Sequence, residues 1–578
     1  MKRKFHAKYR GVAIFAFLVA VLSISASAQT RGTISGRVLN EEGAGLPGIT
    51  LAIEAYAGGL PPSPGGSPKT AVSDAEGNFQ FSNLLPLVYQ ISVQAARGHV
   101  LQTAADPNRP QLYRAGDFTT IRMTRGGVIT GRVTNASGEP MVGVSVSAIR
   151  IRDTEGNKTN VSYASRFRLT DDRGVYRIYG LRPGVYLVAA NLTISGARGA
   201  TAYGDLSPTY YPSSTRDTAT EVVVSNGVES SGIDLRHRGD QGHTISGKVI
   251  GGTTQSGNFT PVSSVMLYSR PSGAVTALTY TQRLETESGF AIYGIADGEY
   301  EIVATSGGGT ADDNFRSEPR RITIRGSDVT GLELRLMLMA SIAGRVTIEA
   351  ATNACDPKLK PSVEEIALNL NREEKPSPEP PSVSPIFLPT ITPNDKGEFS
   401  LIGIAPGQYR LEPNLPNETQ YVKSIAASSP AAAANASATD FARSGTSLKP
   451  GEKLRGVTVT IADGAASVRG KLEAKAGGKF PSRLRVHLVP AEATAADDVL
   501  RYKEALTTDA SFAFANLAPG KYWLLAKAVA DSESSDRLPS PVTWDAAERA
   551  KLRKEAEAAK NELELKPCQR VKDHVLKY

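Results

Sequence analysis

The residues of this sequence that could do chemistry are few and scattered. Three tyrosines, Tyr203, Tyr210 and Tyr211, crowd into the segment Ala202 to Thr220. Aromatic faces stack on sugar rings, and exposed aromatics mark recognition surfaces. The segment is therefore a candidate ligand-binding loop, and Trp544 is a second candidate. The competing reading packs these rings onto the end of a domain. The only two cysteines, Cys355 and Cys568, read either as a disulfide in an oxidising compartment or as two separate thiols. A cross-link over so long a loop stabilises by about 5 kcal/mol in the chain-entropy account. Arg238-Gly239-Asp240 has the form of a cell-adhesion tripeptide, which chance alone supplies in a chain of 578 residues.

Catalytic patterns are missing. There is no Gly-x-Ser-x-Gly elbow, no HExxH and no phosphate loop. Glu364 and Glu365 are neighbours on a strand, so they point to opposite faces and make a poor acid/base pair. Asp74-Ala-Glu-Gly77, Asp171-Asp-Arg-Gly174 and Asn394-Asp-Lys-Gly397 resemble fragments of calcium loops. They lack the spacing and closing Glu of an EF-hand, and Asp or Asn ahead of Gly is what a hairpin turn requires. The expectation is a protein that is not an enzyme and needs no cofactor or metal.

The first residues read as an export leader. Lys2, Arg3, Lys4, Lys8 and Arg10 precede the apolar run Val12 to Ile24, and Ala26-Ser-Ala28 is a small-x-small cleavage site. Cleavage before Gln29 removes residues 1–28. The run is too short for a comfortable membrane span, and the mature chain has no other candidate span. Five positive charges leave with the leader, taking the formal charge from +8 to about +3. That small excess, without a basic stripe interleaved with aromatics, argues against nucleic acid as a partner.

The elements that must position these residues repeat five times. An apolar-x-Gly-basic-apolar strand recurs at Ile34–Val38, Ile129–Val133, Ile245–Val249, Ile342–Val346 and Val468–Leu472. Its apolar and Gly residues share one face, and the Gly leaves room for a close neighbour. The basic residue points to solvent. A second strand alternates apolar residues, as in Leu484, Val486 and Leu488, which places His487 on the outward face. A hairpin follows, such as Gly174-Val-Tyr176-Arg-Ile178, then a turn such as Pro183-Gly184 or Pro519-Gly520. The first copy departs here, with Pro86-Leu87 at the turn. Two residues beyond the turn position stand Tyr89, Tyr186, Tyr300, Tyr409 and Tyr522. A closing strand, such as Ile121-Arg-Met123 or Ile233-Asp-Leu235, runs almost directly into the next copy. Linkers this short predict a semi-rigid rod.

The repeats divide the mature chain into 29–125, 126–241, 242–338, 339–464 and 465–578. Inserts rich in Gly, Pro, Ala or Ser at 58–69, 371–393 and 426–438 bury little and read as mobile loops. The fifth copy carries a helical insertion over 544–561, with Thr543 as N-cap and Leu552, Ala556, Ala559 and Leu563 as its apolar stripe. Leu563-Glu-Leu565 then supplies the closing strand. A free helix that binds a protein partner is the competing reading.

The first-strand motif, the D-x-x-G-x-aromatic hairpin and the L-x-P-G-x-Y turn together resemble the carboxypeptidase regulatory-like domain. The resemblance implies an all-β fold of five tandem Greek-key sandwiches, transthyretin-like in plan, with one helix near the C-terminus. Peptidase activity does not come with it. No His in the chain has a Glu three residues later, and His99, His237, His243, His487 and His574 are scattered over four of the five copies. By analogy with starch-binding-like modules of the same plan, the expected function is binding of polysaccharide or another envelope component. The expected location is the periplasm, the cell surface or the medium. A stalk or adhesin-like scaffold without a small ligand is the alternative.

Overall fold

The computed structural model describes residues 32–56, 69–96, 98–102, 111–154, 156, 166–192, 203–252, 263–270, 275–284, 287–307, 314–349, 355, 362–373, 390–427, 439–474, 481, 484–507, 510–529 and 545–578. The leader 1–28, Trp544 and most of each insert lie outside them.

Strand pairing builds each sandwich on one plan. In the first, Gly32–Leu39 runs antiparallel to Asn78–Leu84 on one side and parallel to Phe118–Arg125 on the other. The facing sheet orders Lys69–Val72, Thr50–Ala55, Val88–Ala95 and Tyr113–Arg114. The last strand returns to lie beside the first rather than beside its neighbour in sequence, so the sheet is not a meander. Five large clusters of buried side chains result, one inside each repeat. They contain the apolar residues of the first strand, the second strand and the hairpin, as period-two burial requires.

The recurrent Gly of the first strand has a steric cause. A Cβ at Gly36 would collide with the Thr119 carbonyl oxygen and stand 2.7 Å from Phe79 Cζ. At Gly470 it would collide with the His574 carbonyl and stand 2.6 Å from Phe512 Cζ. The closing strand and the hairpin aromatic thus meet over the Gly. The recurrent Tyr is equally specific. Its hydroxyl donates to the carbonyl four residues back: Tyr89 to Leu85 at 3.1 Å, Tyr186 to Arg182 at 2.7 Å, Tyr300 to Ala296 at 2.9 Å, Tyr409 to Ala405 at 2.7 Å and Tyr522 to Ala518 at 2.6 Å. Each bond ties a buried ring to the turn before it.

Four elements differ from the sequence expectations. In the fifth sandwich, Glu562–Leu565 pairs with Gly520–Ala528 in the other sheet, and Arg570–Lys577 closes the fold parallel to Ala466–Glu473. The alternation of Leu563 and Leu565 suits either sheet edge, and the Lys566–Gln569 turn decides which strand lies beside Gly470. In the second sandwich the closing segment is broken into Glu229–Ser230 and Leu235–Arg236, around Gly232 at φ +73°. The helix spans Ala546–Ala559, not 544–561, and its N-cap is Asp545, which accepts from the Ala547 and Glu548 amides. Its Leu552 and Ala556 are buried but Ala559 is exposed, because the helix ends there as Lys560 turns left-handed. A second helix, the single turn Phe441–Ser444, was not foreseen.

The sandwiches are joined closely. One residue, Gly126, separates Phe118–Arg125 from Gly127–Thr134, and one, Met339, separates Val329–Leu338 from Ala340–Ile348. Side chains cross the joints. Asn226 donates to Glu41 at 3.0 Å, and Asn516 donates to the Asn417 and Gln420 carbonyls at 2.7 and 2.8 Å. The array is not a straight rod: Thr392 of the fourth sandwich donates to the Tyr56 carbonyl of the first at 3.5 Å. Glu365 likewise stands within the field of Arg114 and Asp117.

Candidate functional site

The tyrosine loop folds onto its own sandwich. Thr209–Tyr210 adds a short strand beside Gly184–Ala190. Tyr210 is 6 % exposed and packs with Ile149, Leu187 and Ala189 on the sheet's outer face. Tyr203 and Tyr211 are half-buried against the main core. Asn191 donates to the Tyr203 and Leu206 carbonyls, both at 2.8 Å, pinning the start of the loop. The same stretch reaches the joint with the next sandwich, where the Ser207 amide donates to the Asp240 carbonyl and the Gly242 amide to that of Asp205. The loop thus forms part of the joint between the second and third sandwiches.

The adhesion-like tripeptide belongs to the same joint. Arg238 Nε donates to its own neighbour Asp240 at 2.6 Å, and the Gly239 amide donates to His237 Nδ1 at 3.0 Å. His237 is 1 % exposed, and burial pushes its pKa down. The three calcium-like segments are Asx turns. Asp74 Oδ1 accepts from the Glu76 and Asn78 amides, Asp171 Oδ1 from those of Arg173 and Val175, and Asn394 Oδ1 from those of Lys396 and Glu398. The bond from the Asn78 side chain is the leading cause that lowers the Asp74 pKa, and the Val175 amide that of Asp171. Among the described residues, no three His, Cys, Asp or Glu side chains gather to hold a metal. Basic residues of four first strands are tied: Arg37 donates to the Glu76 carbonyl, Arg132 to that of Arg173, Arg345 to the Glu398 carboxylate, and Lys248 pairs with Glu333.

His487 corrects a sequence expectation. It sits on the outward face of its strand, yet it is only 4 % exposed. The helix Ala546–Ala559 covers that face, seating Leu552 and Ala556 on Val489, Tyr502, Trp523 and Leu525. Arg553 lies over the Trp523 ring at 5.0 Å and donates to the Ala491 carbonyl at 2.7 Å. Glu555 receives Lys527 at 2.7 Å. Burial, helped by the Arg485 and Lys527 charges, lowers the His487 pKa to about 4. The Glu504 carboxylate, 3.7 Å from Nδ1, is beyond hydrogen-bond range and does not offset burial. Cys355 and Cys568 are disulfide-bonded, with Cα atoms 5.3 Å apart, and the bond joins the fourth sandwich to the fifth.

A cleft of about 730 Å³ opens in the third sandwich. There Phe315–Ser317 pairs with strands of both sheets and joins them into one nine-stranded sheet. The chain then steps through Glu318-Pro319 into Arg320–Ile324, which pairs with Gly298–Ser306 alone. The two sheets part at that step, leaving the cleft. Glu301, Ser317 and Leu334 line it and are buried, while Glu318, Arg320, Arg321, Glu333 and Arg335 are exposed at its margin. Sequence reasoning missed this place. Its only trace was outward charges alternating along a strand, which any solvated strand also shows.

Residues 33–110 match the family model of the carboxypeptidase regulatory-like domain. The first sandwich is thus similar to such a domain over those residues, and the other four repeat its first strand, hairpin and turn. No curated protein matches the sequence. Among solved structures, the Bacillus anthracis TIE protein is 13 % identical over 53 % of this chain, with a TM-score of 0.14. The chain spans about half that protein's length, 51 %. The minor pilin GBS52 of Streptococcus agalactiae is 14 % identical over 36 % of this chain and 96 % of its own, with a TM-score of 0.18. BcpA, the major pilin subunit of Bacillus cereus, is 11 % identical over 53 % of this chain and 99 % of its own, with a TM-score of 0.13. Among the described residues, no helix is long and apolar enough to cross a membrane.

Proposed function

We propose that this is an exported, non-catalytic scaffold of the cell envelope, a stiff array of sandwiches that spaces or presents what is attached to it. The observation that carries the reading is the set of joints. Connections of one or two residues at three of the four joints, hydrogen bonds from one sandwich to the next and the Cys355–Cys568 bond leave little freedom between neighbours. Domains in one chain otherwise move relative to each other by default. The leader 1–28 directs export, and a disulfide suits the oxidising compartment beyond it.

Small-angle scattering of residues 29–578 tests the scaffold. One rigid envelope should fit the curve at all ionic strengths. A scattering curve that demands an ensemble of extended conformers would overturn the reading. Amino-terminal sequencing of the exported protein should begin at Gln29, and a start at Met1 would mean an uncleaved anchor.

A second reading, in which the array also binds polysaccharide or another envelope component, is favoured by the cleft in the third sandwich. Half-buried Tyr203 and Tyr211 would offer a separate surface. Glycan binding by the Tyr203/Tyr210/Tyr211→Ala variant, compared with the parent at equal thermal stability, tests that surface.

A further inference from the structure

We infer that Asn226-Gly227 is a self-modification site, where loss of the Asn226 side-chain amide to solvent loosens the joint between the first and second sandwiches. The inference goes beyond the scaffold reading, because it gives one joint of the array a limited chemical lifetime.

Asn226 is followed by Gly, whereas every other Asn in the chain is followed by a residue with a side chain. The pair stands in the turn between Val222–Val224 and Glu229–Ser230, closed by the Val228 amide on the Ser225 carbonyl at 3.3 Å. Gly227 takes the third place of that turn at φ +66°, a conformation that favours Gly. Ser225 to Glu229 are all exposed, so water reaches both residues. Without a Cβ, Gly227 leaves its amide nitrogen open to the neighbouring side chain. That amide donates to the Arg125 carbonyl at 3.2 Å, the long end of the hydrogen-bond range, and is weakly held.

Asparagine is thermolabile, and this turn presents the atoms that react. The Gly227 nitrogen gives its proton to hydroxide and attacks Cγ of Asn226. The N–Cγ bond forms, the Cγ–Nδ2 bond breaks, and Nδ2 leaves as ammonia after taking a proton from water. Water then opens the cyclic imide at either carbonyl. One opening leaves aspartate. The other leaves isoaspartate, whose main chain runs through Cγ. No oxidation or reduction is involved.

The same turn clamps the linker Gly126 from both sides. Gly227 holds the Arg125 carbonyl, at the end of the first sandwich, and the Val228 carbonyl accepts from the Val128 amide of the second at 2.9 Å. Asn226 Nδ2 donates to the Glu41 carboxylate of the first sandwich at 3.0 Å. After the change the donor is gone and a carboxylate faces Glu41, so a hydrogen bond becomes repulsion between like charges. Isoaspartate also lengthens the main chain between these anchors and displaces Gly227 from Arg125.

Peptide mapping by mass spectrometry of residues 29–578, held at physiological temperature over a series of pH values, tests the chemistry. Asn226 should convert to aspartate and isoaspartate faster than Asn135, which stands in a turn but precedes Ala136, and the rate should rise with hydroxide. Conversion no faster than that of Asn135 overturns the inference and leaves the scaffold reading untouched. Limited tryptic cleavage of the Arg125–Gly126 bond reads the joint. Asn226→Asp should be cut about fivefold faster than the parent, the factor that one lost hydrogen bond supplies. Adding Glu41→Gln to Asn226→Asp returns a donor across the joint and should bring the rate back toward the parent's. Asn226→Gln, whose longer side chain closes a ring slowly, should keep its rate through ageing that speeds cleavage of the parent. Thermal unfolding of each variant establishes that it is folded, so that faster cleavage reports the joint. Cleavage of folded Asn226→Asp at the parent's rate also overturns the inference.

Discussion

At the scale of single residues, the recurrent Gly and Tyr are fixed by what touches them. Gly470→Ala forces a methyl into the His574 carbonyl and the Phe512 ring. Overfilling a packed core costs about 1–3 kcal/mol, and the fifth sandwich should lose stability by that amount in urea titration. Tyr409→Phe removes a hydroxyl that donates to Ala405 from a ring with no exposed surface. About 1 kcal/mol should be lost, with the carbonyl left unsatisfied as part of the cost. Both positions were legible because a repeat displays the constraint five times. The tyrosines at 203, 210 and 211 occur once, and their burial depends on how their loop folds back over the second sandwich. No local pattern reports that. His487 was misjudged for the same reason: alternation along a strand gives the face a side chain takes, but not what later covers that face.

At the scale of elements, the helix Ala546–Ala559 is a cover for the outer face of the fifth sandwich. Its seat is small, so Leu552→Ala should cost about 2–3 kcal/mol and release the helix while the sandwich core stays folded. Hydrogen exchange of the helix amides, fast beside protected amides in Leu484–Pro490, is the measurement. Acid should act on the same contact through His487, whose imidazole is held neutral beneath the helix. Its pKa is about 4 in the fold against 6.5 in the free chain, so the unfolded chain takes the proton first. The stabilising contribution is complete above about pH 6.5 and is lost as the pH falls toward 4, by about 2–3 kcal/mol at pH 4.5. His487→Gln should remove that slope. A variant whose stability falls between pH 6.5 and 4.5 as steeply as the parent's would refute the assignment. The sequence showed a helix here but placed its ends a residue or two out, because Thr543 and Asp545 are both acceptable caps and only geometry chooses. It also placed the closing strand one strand too early.

At the scale of the whole molecule, five cores of ordinary size behave as one body only if their joints hold. The sequence carried the number of sandwiches and the shortness of the linkers. It did not carry the contact between Thr392 and Tyr56, since residues 336 positions apart share no local signal. The disulfide is the joint most easily tested. It spans 213 residues and pins Cys568 beside Gly464, where the fourth sandwich passes into the fifth. In the chain-entropy account a loop longer than 100 residues contributes about 5 kcal/mol, but only if the residues it encloses unfold together. Arg443 with Asp497 at 3.1 Å and Asn516 with the Asn417 carbonyl would remain after reduction. The first pair is exposed and the second part-buried, each contributing about 1 kcal/mol, and Val499 and Leu500 add apolar contact with the fourth core, so the cross-link is the largest single contribution to the joint. Calorimetry of Cys355→Ser/Cys568→Ser should therefore resolve separate transitions for the fourth and fifth sandwiches where the oxidised parent shows one. A single transition in both proteins would mean that the packed joint alone couples them, and that the cross-link is dispensable to the rigidity of the array.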